Sequence, residues 1–313
     1  MDQFYRVYPS YQAAFETFAR AGVDVSEAKT LMRRAVELTS GAGAGHRVIV
    51  CLGLGPYGAT LSPAHEFDGI YPPPFGPTDP TEGFDAIEEV VAHDALVDFH
   101  LQRLLVFLED DPTWEHIDCI IFETVPLLRE AIAIREAMQT IQHRLKESGK
   151  PRTSWCISFV FPDGHLPQEG SINASTLIRS MLEGPEESRA SGIGINCSEP
   201  RFVLDLVRSF TRALCALTIA GPKPWLIIYP NGGEGYDPIS QIWSSPDPKE
   251  PYPAKRWAAE VAQAVGYGLQ TKGALGIAQW EGILLGGCCK AGPQHIRALQ
   301  QLLKRVSAER FHV

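Results

Sequence analysis

The strongest constraint on this chain is an alternation. Short apolar, β-branched runs recur along it, and between them lie segments whose apolar residues fall three and four apart. A near-continuous apolar run suits a buried strand, whereas a period near 3.6 suits a helix with one face on a core. Their steady repetition predicts βα units over a parallel sheet. Strands are expected at 47–54, 119–124, 155–161, 192–197, 225–230 and 282–288, with a weaker run near residue 4. The helical segments include YQAAFETFARAG, VSEAKTLMRRAVELTS, FDAIEEVVAHDALVDFHLQRLLVFLE, LLREAIAIREAMQTIQHRL, PRFVLDLVRSFTRAL, AKRWAAEVAQAVGYGLQ and PQHIRALQQLLKRV. Seven such units point to an α/β fold of the (β/α)₈ TIM-barrel type, read as one domain over residues 1–313 and one strand short of closure. The two longest Pro/Gly-rich loops, 66–83 and 234–253, each follow the C-terminal end of a strand, the face that carries active sites in such barrels.

Composition narrows the partners. With 28 Lys+Arg against 37 Asp+Glu the net charge is −9, which argues against nucleic acid or an anionic membrane surface as a partner. No run approaches the roughly 18 consecutive apolar residues of a membrane span, and MDQFYRVYPS has no signal-peptide pattern. The expectation is a cytoplasmic protein. Its 7 cysteines are odd in number and occur in a long chain, so free thiols or metal ligation fit better than a disulfide framework.

Three of those cysteines end apolar strands. Cys197 closes GINC, and Cys288 and Cys289 close GGCC. Neighbouring residues of a regular strand face opposite ways, so both can serve one site only if the backbone turns, and Gly286 and Gly287 offer that freedom. Three thiolates from two strand ends make a Cys₃ zinc site whose fourth position stays open to a substrate thiol. The competing reading is that they are small core hydrophobes, which is accepted for Cys51, Cys119, Cys156 and Cys215.

Glu123 stands at the end of CIIFET, where a carboxylate calls for a cationic partner such as a substrate ammonium, or else simply reaches solvent. Asn196 and Asn231 hold similar strand-end positions. GLGPYG at 53–58 matches G-x-G-x-x-G, yet the ATLSPAHEF that follows cannot open a phosphate-binding helix. Its glycines are read instead as letting a loop approach a ligand, with Tyr57 as a contact. His93 and His100, seven apart on one helix, are read as surface or core positions rather than a ligand pair.

Taken together, GLGPYGATL, DFHLQRLLVFLE, IIFETVPLLREAIAI, GIGINCSEP, IIYPNGGEGYD followed by Trp243, and GGCCKAGPQHIRAL resemble the homocysteine S-methyltransferase family. The resemblance implies a zinc barrel that moves a methyl group from a sulfonium or quaternary-ammonium donor to homocysteine, giving methionine. Carried over by motif, it implies Cys197, Cys288 and Cys289 as zinc ligands and in the catalytic role, Glu123 as the group binding the homocysteine amino group, and Asn196 lining the same pocket. GLGPYG is closer to the S-methylmethionine-using branch than to the betaine-using one, and Tyr57, Tyr71, Phe75, Tyr236 and Trp243 are candidates to meet a methylated cation. The family's first strand, with its Asp-Gly-Gly type motif, has no counterpart, because the chain opens at VYPSYQ near the family's second strand. The alternative expectation is therefore a truncated or degenerate, non-catalytic member acting as a binding or regulatory protein. A third is a barrel of unrelated chemistry.

Overall fold

A computed structural model describes residues 4–41, 48–79, 81–167, 172–219, 221–237, 240, 242–244, 252–273, 276 and 278–310. The chain divides into two compact units, residues 1–157 with 184–190, and residues 158–183 with 191–313.

The first unit begins β1 (Phe4–Pro9), α1 (Phe15–Arg20), α2 (Val25–Gly41) and β2 (Val48–Leu54). It continues with α3 (Ala86–Leu108), α4 (Asp111–Trp114), β3 (Cys119–Val125) and α5 (Leu128–Glu147), and then enters β4 (Ser154–Phe159). β1 and β2 pair in parallel, as do β2 and β3, with Cys51 opposite Cys119. The sequence dictates the helix starts. Asp85 caps α3 by accepting from the Ile87 and Glu88 amides, and Glu88 accepts in return from the Asp85 amide, which satisfies amide groups that a helix start otherwise leaves without partners. α3 packs against α5, and Leu52, Leu54, Phe107, Phe122, Ile134, Met138 and Trp155 fill the core.

The second unit holds α6 (Ala174–Leu182), β5 (Gly192–Asn196), α7 (Pro200–Cys215), β6 (Trp225–Tyr229), β7 (Gly235–Asp237), β8 (Ile242–Ser244), α8 (Ala254–Gln270), β9 (Ile283–Leu285) and α9 (Pro293–Arg310). β5 pairs in parallel with β6, and β6 with β9. Pro200 opens α7, where its missing N–H costs nothing. Val203, Val207, Phe210 and Leu214 then recur at helical spacing and are buried, with Ile193, Ile195, Leu226, Ile228 and Trp257 in the same unit's core.

All seven expected strands are present, as β1–β6 and β9. Three features were not anticipated. α6 is capped by Asn173, whose side chain accepts from the Thr176 amide; α4 is a single turn; and the 234–253 loop carries the antiparallel β7–β8 pair. Cys215 corrects an expectation: it ends α7 and is exposed, because the helix stripe that faces the core runs through Leu214 instead. Among the described residues, no helix is long and apolar enough to cross a membrane.

Candidate metal centre

Two strand ends of the second unit bring Cys197, Cys288 and Cys289 together. The Cys197 and Cys289 sulfurs are 3.8 Å apart, those of Cys288 and Cys289 3.9 Å, and all three lie within 4.8 Å of one another. Thiolates about 2.3 Å from a tetrahedral zinc stand about 3.8 Å from each other, a separation that the Cys197–Cys289 and Cys288–Cys289 pairs match. Cys197 is buried, Cys288 half-buried and Cys289 exposed. The cluster is thus open to solvent at Cys289, where a fourth ligand can enter.

The backbone explains the convergence. Cys197 has φ 48°, a left-handed conformation that turns the chain out of β5 and is costly for a residue with a Cβ. Lys290, directly after Cys289, has φ 63°. β9 ends at Leu285, so the chain leaves the strand at Gly286 and Gly287 as anticipated, although neither glycine is left-handed. Gly287 is needed for space: a Cβ there would stand 2.6 Å from the Ala291 Cβ.

The end of β6 lies between the two cysteine segments. The Tyr229 carbonyl accepts from the Cys197 amide at 3.3 Å, the Pro230 carbonyl accepts from the Cys288 amide at 2.8 Å, and the Gly232 amide donates to the Cys289 carbonyl at 2.7 Å. One stretch of four residues thus registers all three ligands. Asn196 is buried beside Cys197, and its Oδ1 accepts from the Ser158 hydroxyl at 2.8 Å; the Tyr229 hydroxyl lies 2.6 Å from the same Ser158 oxygen.

Electrostatics separates the two kinds of cysteine. Hydrogen bonds from the Cys197 and Cys288 thiols pull the Cys289 thiol well below its ordinary range, with the Lys290 charge adding to the effect. Cys197 is pushed up by donating those bonds and by burial. In the first unit, Cys51, Cys119 and Cys156 are buried together on β2, β3 and β4, and Cys51 and Cys119 are pushed far up by thiol–thiol hydrogen bonds and burial. All three are buried and behave as core residues, as expected.

Glu123, Tyr57, Tyr71 and Phe75 lie in the first unit, and Tyr236 and Trp243 in the second. Glu123 is half-buried near the end of β3, just before Thr124 at φ 61°. Among the described residues, the three non-glycine positions with positive φ are Thr124, Cys197 and Lys290, so each is, or directly follows, a candidate site residue. Tyr57 opens a 3₁₀ turn, which confirms that no phosphate-binding helix follows GLGPYG. Its ring is buried, stacked on Phe75 at 3.7 Å and edge-on to Tyr71 and Phe99, each at 5.3 Å. Burial also raises its hydroxyl to about 12. Tyr236 and Trp243 face each other across β7–β8, with ring centroids 5.0 Å apart.

Sequence reasoning missed what holds that aromatic loop. Glu130, fully buried on α5, accepts from the Tyr57 amide at 2.7 Å, from His100 Nε2 at 2.9 Å and from the Tyr71 hydroxyl at 2.5 Å. Arg103, also buried, donates to the carbonyls of Ser10, Tyr11, Ala13 and Gly55. The signal was present as charged residues inside DFHLQRLLVFLE and LLREAIAI, segments otherwise rich in apolar residues.

Parallel βα units and a three-thiol cluster at strand ends define an α/β protein of the incomplete TIM-barrel type with a candidate metal centre. The metallated form of the homocysteine methyltransferase MmuM from Escherichia coli shares this fold, with TM-score 0.58 and 22% identity, over 95% of this chain and 79% of that one. The homocysteine S-methyltransferase family model matches residues 9–303, and the chain belongs to that family of enzymes. Among relatives, homocysteine S-methyltransferase 1 of Arabidopsis thaliana is 29% identical over 96% of this chain and 78% of its own length. The homocysteine S-methyltransferase YbgG of Bacillus subtilis is 27% identical over 93% of this chain and 76% of its own.

Proposed function

We propose that the protein transfers a methyl group from S-methylmethionine, or a related sulfonium donor, to homocysteine, giving methionine, with zinc held by Cys197, Cys288 and Cys289. The observation that carries this reading is the convergence of three thiol sulfurs, within 4.8 Å of one another, at two strand ends of a chain from this family. Zinc bound there would lower the pKa of a thiol in its open fourth position, so that homocysteine reacts as thiolate at neutral pH.

The remaining roles belong to the chain. Cys197, inward-facing and held in a left-handed turn, anchors the cluster, and the exposed edge at Cys289 admits the substrate sulfur. Glu123 supplies the negative charge for the homocysteine ammonium. Asn196, locked by Ser158, shapes the floor beside Cys197. Tyr57 contributes with Tyr71 and Phe75 by giving the loop after β2 an aromatic lining suited to a methylated cation. The thiolate pair forms the new S–C bond as the donor's S⁺–C bond breaks. The breaking pair stays on the donor sulfur, which becomes a neutral thioether, and the thiol proton goes to solvent.

The test is methionine formation from homocysteine by the full chain. Activity with S-methylmethionine that is lost in Cys289→Ser supports the reading. Zinc binding without methionine formation from sulfonium or betaine donors would instead identify a non-catalytic family member.

A further inference from the structure

Of the backbone polar groups from the Tyr229 carbonyl to the Gly232 amide, three bond the cysteine residues themselves and a fourth, the Asn231 amide, donates to the Ser198 carbonyl at 3.0 Å. The fifth is the Asn231 carbonyl. It accepts from the indole N–H of Trp257 at 2.7 Å, and Trp257, on α8, is fully buried. Pro230 has no N–H to place. Each of these groups is therefore paired, and the Asn231 carbonyl reaches beyond the cysteine-bearing segments to Trp257.

Ser198 does the corresponding work on the other side. Its buried hydroxyl donates to the Asn196 carbonyl at 3.0 Å and accepts from the Phe161 amide at 2.9 Å, so the residues on either side of left-handed Cys197 are joined to each other. A left-handed non-glycine residue costs of order 1–3 kcal/mol and persists only where its surroundings over-determine it.

We propose that Trp257 and Ser198 are positioning residues for the metal centre, fixing the β6 end and the Cys197 turn so that the three sulfurs stand at chelating distance before metal arrives. This rests on the zinc reading given above. Neither side chain is a ligand. Each acts through the backbone that carries the ligands, so removing it should weaken metal binding while leaving all three cysteines in place. Outer partners of this kind are typically worth about 10- to 100-fold in metal affinity.

The experiment titrates the metal-free full chain with Co²⁺, reading the thiolate-to-cobalt charge-transfer band, and with Zn²⁺ against a chromophoric chelator. The proteins are the natural chain, Trp257→Phe, Ser198→Ala and Trp280→Phe. Trp280 is the control, a buried indole of the same unit whose N–H goes to Thr211 Oγ1 at 3.1 Å and not to the β6 end. Thermal midpoints of the metal-free proteins are recorded beside the titrations. The expected result is about 10- to 100-fold weaker metal binding in Trp257→Phe and Ser198→Ala, with a shifted cobalt spectrum, and natural affinity in Trp280→Phe. Unchanged affinity and spectrum in the first two variants would overturn the proposal while leaving the metal centre intact, as would equal weakening in all three. If Trp257→Phe does not fold, Ser198→Ala decides by the same criteria. Failure of the natural chain to bind either metal overturns the zinc reading itself, and the proposal with it.

Discussion

Gly232 approaches Lys290 so closely that a Cβ on the glycine would stand 2.4 Å from the Lys290 carbonyl oxygen. Backbone meets backbone there, so neither side can yield by changing a rotamer. Gly232→Ala should cost about 1–3 kcal/mol of stability, as overpacking typically does, and should separate Cys289 from the β6 end that registers it. Urea unfolding of the metal-free protein and zinc stoichiometry check the two halves. Natural stability in this variant would mean that the approach is not as close as described.

Glu130→Gln tests the anchor of the aromatic loop. The carboxylate accepts three hydrogen bonds, and an amide in its place turns one oxygen into a donor facing the Tyr71 hydroxyl or His100. A loss of about 1–3 kcal/mol is expected in denaturant unfolding, as for a buried polar group left without its match. Glu130→Ala should cost more, because it adds a cavity.

The same network sets a pH dependence. His100 donates from Nε2 to Glu130, while its Nδ1 is buried without a partner, and burial outweighs Glu130 in holding its pKa below the ordinary value near 6.5. The unfolded chain therefore takes up this proton first as pH falls. The protein is at full stability, with respect to His100, above about pH 6.5 and loses it as pH drops below that value. Unfolding free energies of the metal-free protein between pH 7 and pH 5 should fall less steeply in His100→Asn than in the natural chain. Parallel slopes would remove His100 from the account.

Thiol reactivity should divide the cysteines. In metal-free protein near pH 6, iodoacetamide is expected to modify Cys289 first, because hydrogen bonds from Cys197 and Cys288 hold it as thiolate, while Cys51 and Cys119 stay unmodified until the chain unfolds. Peptide mass mapping reads the order. Added zinc should protect Cys289.

Much of this was legible in the sequence. Apolar runs placed seven strands, and the positions of Cys197, Cys288 and Cys289 at strand ends placed the cluster, because period and strand termination are local properties. What escaped was long-range or backbone-borne. The Glu130–His100–Tyr71 contacts join residues 30 and 59 apart in the chain, and a hydrophobicity pattern records that a charge is buried but not what receives it. The registering of the cysteines by Tyr229, Pro230 and Gly232 runs through carbonyls and amides, which every residue but proline carries alike. Gly286 and Gly287 were expected to let the chain turn at the cysteine pair; β9 does end just before them, but the left-handed torsion falls on Lys290, which no glycine marked in the sequence.

Glu123→Gln should raise KM for homocysteine by about 10- to 100-fold with a smaller change in kcat, the size expected for losing a hydrogen bond to a charged group. Steady-state kinetics at saturating donor makes the comparison. A fall in kcat with KM unchanged would place Glu123 in the chemistry rather than in substrate binding.

The central claim is that three cysteines of this chain hold a zinc ion with one position open to a substrate sulfur. X-ray absorption at the zinc edge tests it most directly, on the zinc-loaded full chain before and after homocysteine is added. The account predicts sulfur neighbours at about 2.3 Å whose number rises from three to four on addition. A zinc shell dominated by nitrogen and oxygen, or a sulfur count indifferent to homocysteine, would contradict it.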